Sequence, residues 1–389
     1  MSLWGLLRVV WCCALPIALL EAGMQRFGEV GPLGPVASST ITEAYGLRYP
    51  SRCLRTNFGH LDVQGDTWAT LCTDAYGTIE PTSLSALIRE PSEPGEPYIL
   101  ACGGSTTEVA TVEAADRWPT ILGHRLDVAT VNAGAASKDL ATCARTLDFL
   151  LKHAPRGRLP LILITNNVNT LGTFLSARSS PGWDGISIPE QTYAPMPPHP
   201  GLRPWIPGLY HLAATVVAET RANGDDGQYG RALSLGCCHI PGAVNRDAGR
   251  PFEWNDEANP KLYAGLVAAM LQRIDAVLQR HGVPRERVIF IEEPNSYRFD
   301  AMPHLAQDFR QRLYGLDGKP FDFATSAALT ARYDDIYMRV VGERFAVIRA
   351  KSLDLPASAF HDAVHLTTAG SRLYGERLAD ILRPRLAGL

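Results

Sequence analysis

Three side chains in this sequence have types and spacing suited to covalent chemistry. Ser105 stands in "CGGSTT" directly after an apolar run, and "DAVH" near the carboxyl terminus puts Asp362 and His365 three residues apart. Acyl transfer uses such a set. A serine hydroxyl is a weak nucleophile at neutral pH and needs a neutral imidazole in hydrogen-bond reach to take its proton during attack. His365 is suited to that role, and a carboxylate on the other ring nitrogen, Asp362, fixes the tautomer and stabilises the imidazolium that forms. The tetrahedral intermediate carries an oxyanion, which needs preorganised donors. The backbone N–H groups of Ser105 and of Gly134, in "VNAGAAS", can supply two, and an amide from "TNNVNT", Asn167 or Asn169, a third. Such chemistry falls away as pH drops through the ordinary imidazole range, about 6 to 7, because a protonated ring cannot accept the serine proton.

Plainer roles compete with these. Gly-Gly-Ser turns also build phosphate loops, but no Gly-Lys-Ser/Thr follows here. Gly134 can be an ordinary strand-end glycine, and Asn169 a turn former. Glu292 and Glu293 end an apolar run without the spacing of an acid/base pair, so surface or salt-bridged roles are expected of them. Asp354 reads as a loop residue. Cys237 and Cys238, next to His239, read as part of a buried strand, because adjacent cysteines do not easily face one ion. No CxxC metal pair is present among the eight cysteines, and acyl transfer through Ser105 and His365 needs no metal or organic cofactor. Cys53 and Cys72 lie in an irregular polar region and can pair in an oxidising compartment.

The elements that must position these groups follow from periodicity. Short apolar runs, "YILACGG", "VATVNAG", "LPLILITNN", "RVIFIEEP" and "FAVIRA", alternate with amphipathic stretches at 113–126, 138–153, 258–281, 325–343 and 367–386. Buried strands alternating with helices predict an α/β fold with about five parallel strands and helices on both faces. In such sheets reactive groups collect at the carboxyl ends of the strands, where Ser105, Gly134 and the two asparagines fall. An insertion at about 172–256 breaks the rhythm. Its prolines, glycines and aromatics, Trp183, Tyr193, Trp205 and Tyr210 among them, fit either a lid or substrate wall or a locally packed surface decoration.

In order along the chain, these motifs resemble the SGNH hydrolase superfamily, also called GDSL-type esterases, from about Pro97 onward. "GGSTT" is similar to the first family block, "NAGAAS" to the second and "DAVHLTTAG" to the last. The resemblance implies a flavodoxin-like doubly wound sheet, with Ser105 as nucleophile and Asp362 and His365, not His361, completing the triad. It also implies oxyanion donors at Ser105, Gly134 and Asn169, with Asn167 as the fallback. In the third block Asn167 replaces a glycine and Thr170 an aspartate. "TDAYGTIEP" and the amino-terminal segment resemble those of membrane-tethered bacterial members.

The chain has 389 residues, 46 per cent of them hydrophobic, and a formal net charge of −3. That is enough for a large buried core, and the lack of a basic stripe argues against nucleic acid as a partner. Residues 1–26 are read as a signal anchor or signal peptide and 27–96 as a linker and loop-rich subdomain. Residues 97–389 are read as the catalytic domain. The expected function is that of an esterase outside the cytoplasm, tethered at the membrane by its amino-terminal segment or secreted, acting on an O-acyl ester of a small molecule or polysaccharide. The same site would serve an O-acyltransferase modifying an envelope polysaccharide. A third reading is a non-catalytic binding or assembly protein on this fold.

Overall fold

The computed structural model describes residues 45–48, 50–51, 53–57, 68–89, 96–136, 138–155, 157–178, 257–295, 323–360 and 364–386. The amino-terminal segment and linker, the insertion from residue 179, His361, Asp362, Cys237, Cys238 and His239 lie outside these residues. Among the described residues no helix is long and apolar enough to cross a membrane.

Among the described residues, seven strands form two sheets. β1 (Cys53–Asn57) and β2 (Trp68–Cys72) make an antiparallel ribbon, with Cys53 opposite Cys72 and disulfide-bonded to it. The main sheet holds β3 (Tyr98–Gly103), β4 (Thr130–Asn132), β5 (Pro160–Thr165), β6 (Val288–Ile291) and β7 (Ala346–Ile348). These five are the predicted apolar runs, all paired in parallel, in the order β4-β3-β5-β6-β7. The first strand of the sheet therefore lies between its second and third. Succeeding connections leave it in opposite directions, which opens a crevice at its carboxyl end.

Eight α-helices are described: α1 (Leu84–Arg89), α2 (Ser105–Glu108), α3 (Trp118–Leu126), α4 (Leu140–His153), α5 (Asn167–Arg178), α6 (Ala258–His281), α7 (Phe323–Gly342) and α8 (Thr368–Leu386). The two-residue period of the strands sorts their side chains into two cores. Leu100, Cys102, Ile162, Ile164, Val288 and Phe290 face α4, α5, α6 and α7. Their neighbours Ile99, Ala101, Leu161, Leu163, Ile289 and Ile291 face α3 and α8. The fold is thus the doubly wound α/β arrangement expected from the alternation, with α5 as an unforeseen addition. Its polar first turn reads as a loop and its remainder as the start of the insertion. Buried Leu171, Phe174 and Leu175, spaced three and four apart, make it a helix.

The described part of the loop-rich stretch before the sheet is packed onto it. Asp74 caps a turn by accepting from the N–H groups of Tyr76, Thr78 and Ser85 at 2.8 to 3.0 Å. Ile79 N–H then donates to Asn132 O and Asn132 N–H to Thr82 O, at 2.9 and 2.7 Å, which covers the exposed edge of β4. Leu47, Leu84 and Leu87 join the larger core. A second disulfide, Cys102–Cys143, joins β3 to α4.

Candidate active site

Ser105 takes its place from the strand that ends just before it. β3 stops at Gly103, and Gly104 N–H donates to Thr165 O of β5 at 3.2 Å. The chain then turns into α2, whose Thr107 and Glu108 N–H groups both donate to Gly104 O at 3.1 and 3.0 Å. A Cβ at Gly104 would lie 1.8 Å from Asn169 Nδ2, so any larger residue here would have to displace the Asn169 amide. As the first residue of α2, Ser105 has an N–H without an intrahelical acceptor. From the α3 side, Trp118 Nε1 donates to Thr106 O at 2.9 Å, and Trp118 N–H donates to Ser371 Oγ of α8 at 2.9 Å.

His365 arrives from the opposite end of the chain. Phe360 and Leu366 form an isolated antiparallel bridge, both side chains buried in the smaller core, and Thr367 N–H donates to Ala359 O at 2.9 Å. Thr367 Oγ1 accepts from Gly370 N–H at 3.0 Å and so caps α8. The loop is pinned at both ends, with His365 beside its downstream anchor. His365 Nε2 lies 2.8 Å from Ser105 Oγ, across 260 residues of sequence. That separation is within the reach a general base needs, and both residues are partly accessible to solvent. Asp362 lies outside the described residues.

The second strand end meets the first at Gly134. Its absent Cβ would fall 2.2 Å from Glu108 N and 2.5 Å from Thr107 C, so the loop after β4 lies against the backbone of α2. Gly134 N–H donates to Asn132 Oδ1 at 2.9 Å.

The two asparagines of α5 separate by environment. Asn167 Nδ2 donates to Asp334 Oδ1 at 2.8 Å, and Asn167 Oδ1 accepts from Glu293 N–H at 2.7 Å, so its amide is committed to joining β6 to α7. Asn169 Nδ2 is buried beside Gly104 with no hydrogen-bond partner. A buried donor without an acceptor costs about 1 to 3 kcal/mol, and one beside the turn that carries Ser105 fits a transient acceptor such as an anionic oxygen. Thr170 accepts from Leu140 N–H at 3.2 Å and donates to Asn166 O at 2.8 Å, tying the start of α4 to α5.

The adjacent glutamates are not on the surface. Both are buried, and strand alternation sends them apart. Glu292 accepts from Ala350 N–H at 2.8 Å and pairs with Arg349 at 3.2 Å, which is the salt-bridged role expected of it. Glu293 points into the site, where Thr106 Oγ1 donates to its Oε1 and Val168 N–H donates to its Oε2 at 3.1 Å. Burial pushes its carboxyl up to about 6, against the opposing pull of those two hydrogen bonds and of His365. Sequence reasoning passed over Glu293; the usable signal was a carboxylate at the carboxyl end of a buried strand.

No family model matches the chain, and no curated protein does so either. Among the described residues no group of His, Cys, Asp or Glu side chains is arranged to hold a metal ion. The other expected loop residue, Asp354, ends a 3-10 turn in the left-handed region at φ 46°.

Two more buried charges flank the site. Arg117 donates to the carbonyls of Val109, Glu80 and Thr70 at 3.3, 3.2 and 2.6 Å. Burial draws its guanidinium down to about 10, which leaves it charged at neutral pH. Lys138 donates to Ala133 O at 2.5 Å, and burial draws its amine down to about 7, partly offset by the carboxylate of Glu108.

Proposed function

We propose that this chain is a serine acyl hydrolase of SGNH type, cleaving an O-acyl ester through a covalent acyl-Ser105 intermediate. The observation that carries this reading is the 2.8 Å approach of His365 Nε2 to Ser105 Oγ at the carboxyl end of β3. In the reaction, His365 takes the Ser105 proton as Oγ bonds to the ester carbonyl carbon. The proton then passes to the departing alcohol. Water, activated by the same imidazole, releases the acid and restores the serine. The oxyanion sits among Ser105 N–H, Asn169 Nδ2 and Gly134 N–H, the last shared with Asn132 Oδ1. Asn169 is favoured over Asn167 because its donor is unspent. Asp362 serves as the carboxylate partner of His365. The disulfides Cys53–Cys72 and Cys102–Cys143 support a location in an oxidising compartment outside the cytoplasm.

The test is labelling with a fluorophosphonate, which forms a stable bond only with an activated serine. The folded full-length chain should label at Ser105. Ser105→Ala should abolish labelling, and His365→Ala should slow it by about 10³-fold or more. Failure of the folded wild-type chain to label would overturn the proposal.

A further inference from the structure

The geometry points to Glu293 as a positioning residue whose carboxylate locks the nucleophile turn to the amide-donor turn and supports the positive charge formed on His365. The inference deepens the serine hydrolase reading and rests on it. Each oxygen of Glu293 serves a different wall of the site. Oε1 accepts from Thr106, the residue after the nucleophile, and Oε2 accepts from the N–H of Val168, the residue before Asn169. The backbone is fixed as well, since Glu293 N–H donates to Asn167 Oδ1, and Asn167 and Asn295 both donate to Asp334, at 2.8 and 3.0 Å. One carboxylate therefore fixes the distance between Ser105 and Asn169. Displacements of about 1 Å at such a pair can cost about 100-fold in rate.

The charge adds a second effect. Glu293 is 1 % exposed and holds Thr106, next to Ser105, whose Oγ lies 2.8 Å from His365 Nε2, so its charge sits close to the imidazole. Among the described residues the phenols of Tyr337 and Tyr374 also face it; burial first, and then the charge of Glu293, raises their pKa values, so both stay neutral near pH 7. When His365 takes the serine proton, an ionised Glu293 favours the imidazolium. It stabilises the state formed during attack and makes the ring a stronger base.

Glu293→Gln separates charge from shape. Gln can accept from Val168 N–H with its oxygen and donate to Thr106 Oγ1 with its nitrogen, so both connections persist without charge. The measurement is the rate of fluorophosphonate labelling of the full chain from pH 4.5 to 8.5, normalised to the folded fraction at each pH. Glu293→Gln should lower the plateau about 10-fold and move the acid midpoint down by about half a unit, because the imidazole loses a neighbouring anion. Thr106→Val keeps the charge and breaks one connection. It should lower the plateau about 3- to 10-fold without moving the midpoint down. Curves for Glu293→Gln that superimpose on wild type, or a deficit wholly explained by unfolded protein, would overturn the role of Glu293 and leave the serine hydrolase reading intact. If Glu293→Gln fails to fold, the Thr106→Val result decides, and an unchanged plateau overturns the inference. Absence of labelling in wild type removes both.

Discussion

At the scale of single residues, the two asparagines of α5 make opposite predictions. Removing Asn169 deletes a buried donor with no partner, so Asn169→Ala should leave the melting temperature nearly unchanged and lower kcat for ester hydrolysis about 10²- to 10³-fold. Removing Asn167 leaves Glu293 N–H and Asp334 Oδ1 without the amide that joined them. Asn167→Ala should therefore cost about 1 to 3 kcal/mol for each group in urea unfolding. Equal effects of the two substitutions would contradict the assignment of donors. Glu293 gives a signed pH prediction. Its carboxyl lies at about 6 in the fold, above its ordinary value of 4.5, so its contribution to stability is fully present below about 4.5 and is lost as pH rises through 6. Glu293→Gln should therefore gain on wild type by about 2 kcal/mol between pH 4 and pH 7.5, read from urea midpoints at both pH values. The approach of His365 to Ser105 was legible in the sequence because each sits in a short motif beside a strand end or helix start. Glu293 and Asn167 were not, because their partners are 187 and 167 residues away and no local spacing records them.

At the scale of elements, the site is a junction of strand ends, those of β3, β4 and β5 closed by small or amide residues and that of β6 by Glu293. Gly134→Ala places a Cβ 2.2 Å from Glu108 N, and backbone cannot yield cheaply. The substitution should cost about 1 to 3 kcal/mol and slow Ser105 labelling by about 100-fold, since the nucleophile turn must move. Retention of full labelling would show that α2 does not depend on this contact. The five sheet strands were legible because parallel strands buried on both faces read as continuous apolar runs. Helices α4, α6, α7 and α8 were legible from their spacing, the ends of α6 to the residue and those of α7 and α8 within two. The ribbon β1–β2 was not, although the pairing of its two cysteines was anticipated, because its five-residue strands carry no sustained period. The Cys102–Cys143 link was equally hidden, since each cysteine occupies an ordinary core position in β3 or α4.

At the scale of the molecule, the proposed site draws on both sides of the sheet. Trp118 and the His365 loop belong to the α3–α8 layer, while Asn169 rises from α5 in the other. The parallel strands between them set the distance from base to donor. Outside the main sheet, the Cys53–Cys72 bridge spans 19 residues of sequence and restricts the unfolded chain by about 3 kcal/mol. A Cys53→Ser/Cys72→Ser double variant should unfold at lower urea by a comparable amount, and reducing agent should then shift its midpoint less than that of wild type. Arg117 carries the ribbon's influence inward. Its guanidinium holds a carbonyl of the ribbon, one of the turn that covers β4 and one at Val109, four residues past Ser105. Because that cation is buried, these backbone segments share one rivet, and none can loosen without leaving a charge short of acceptors in the protein interior. The ribbon is therefore a fixed buttress of the serine rather than a flap that can swing away from it.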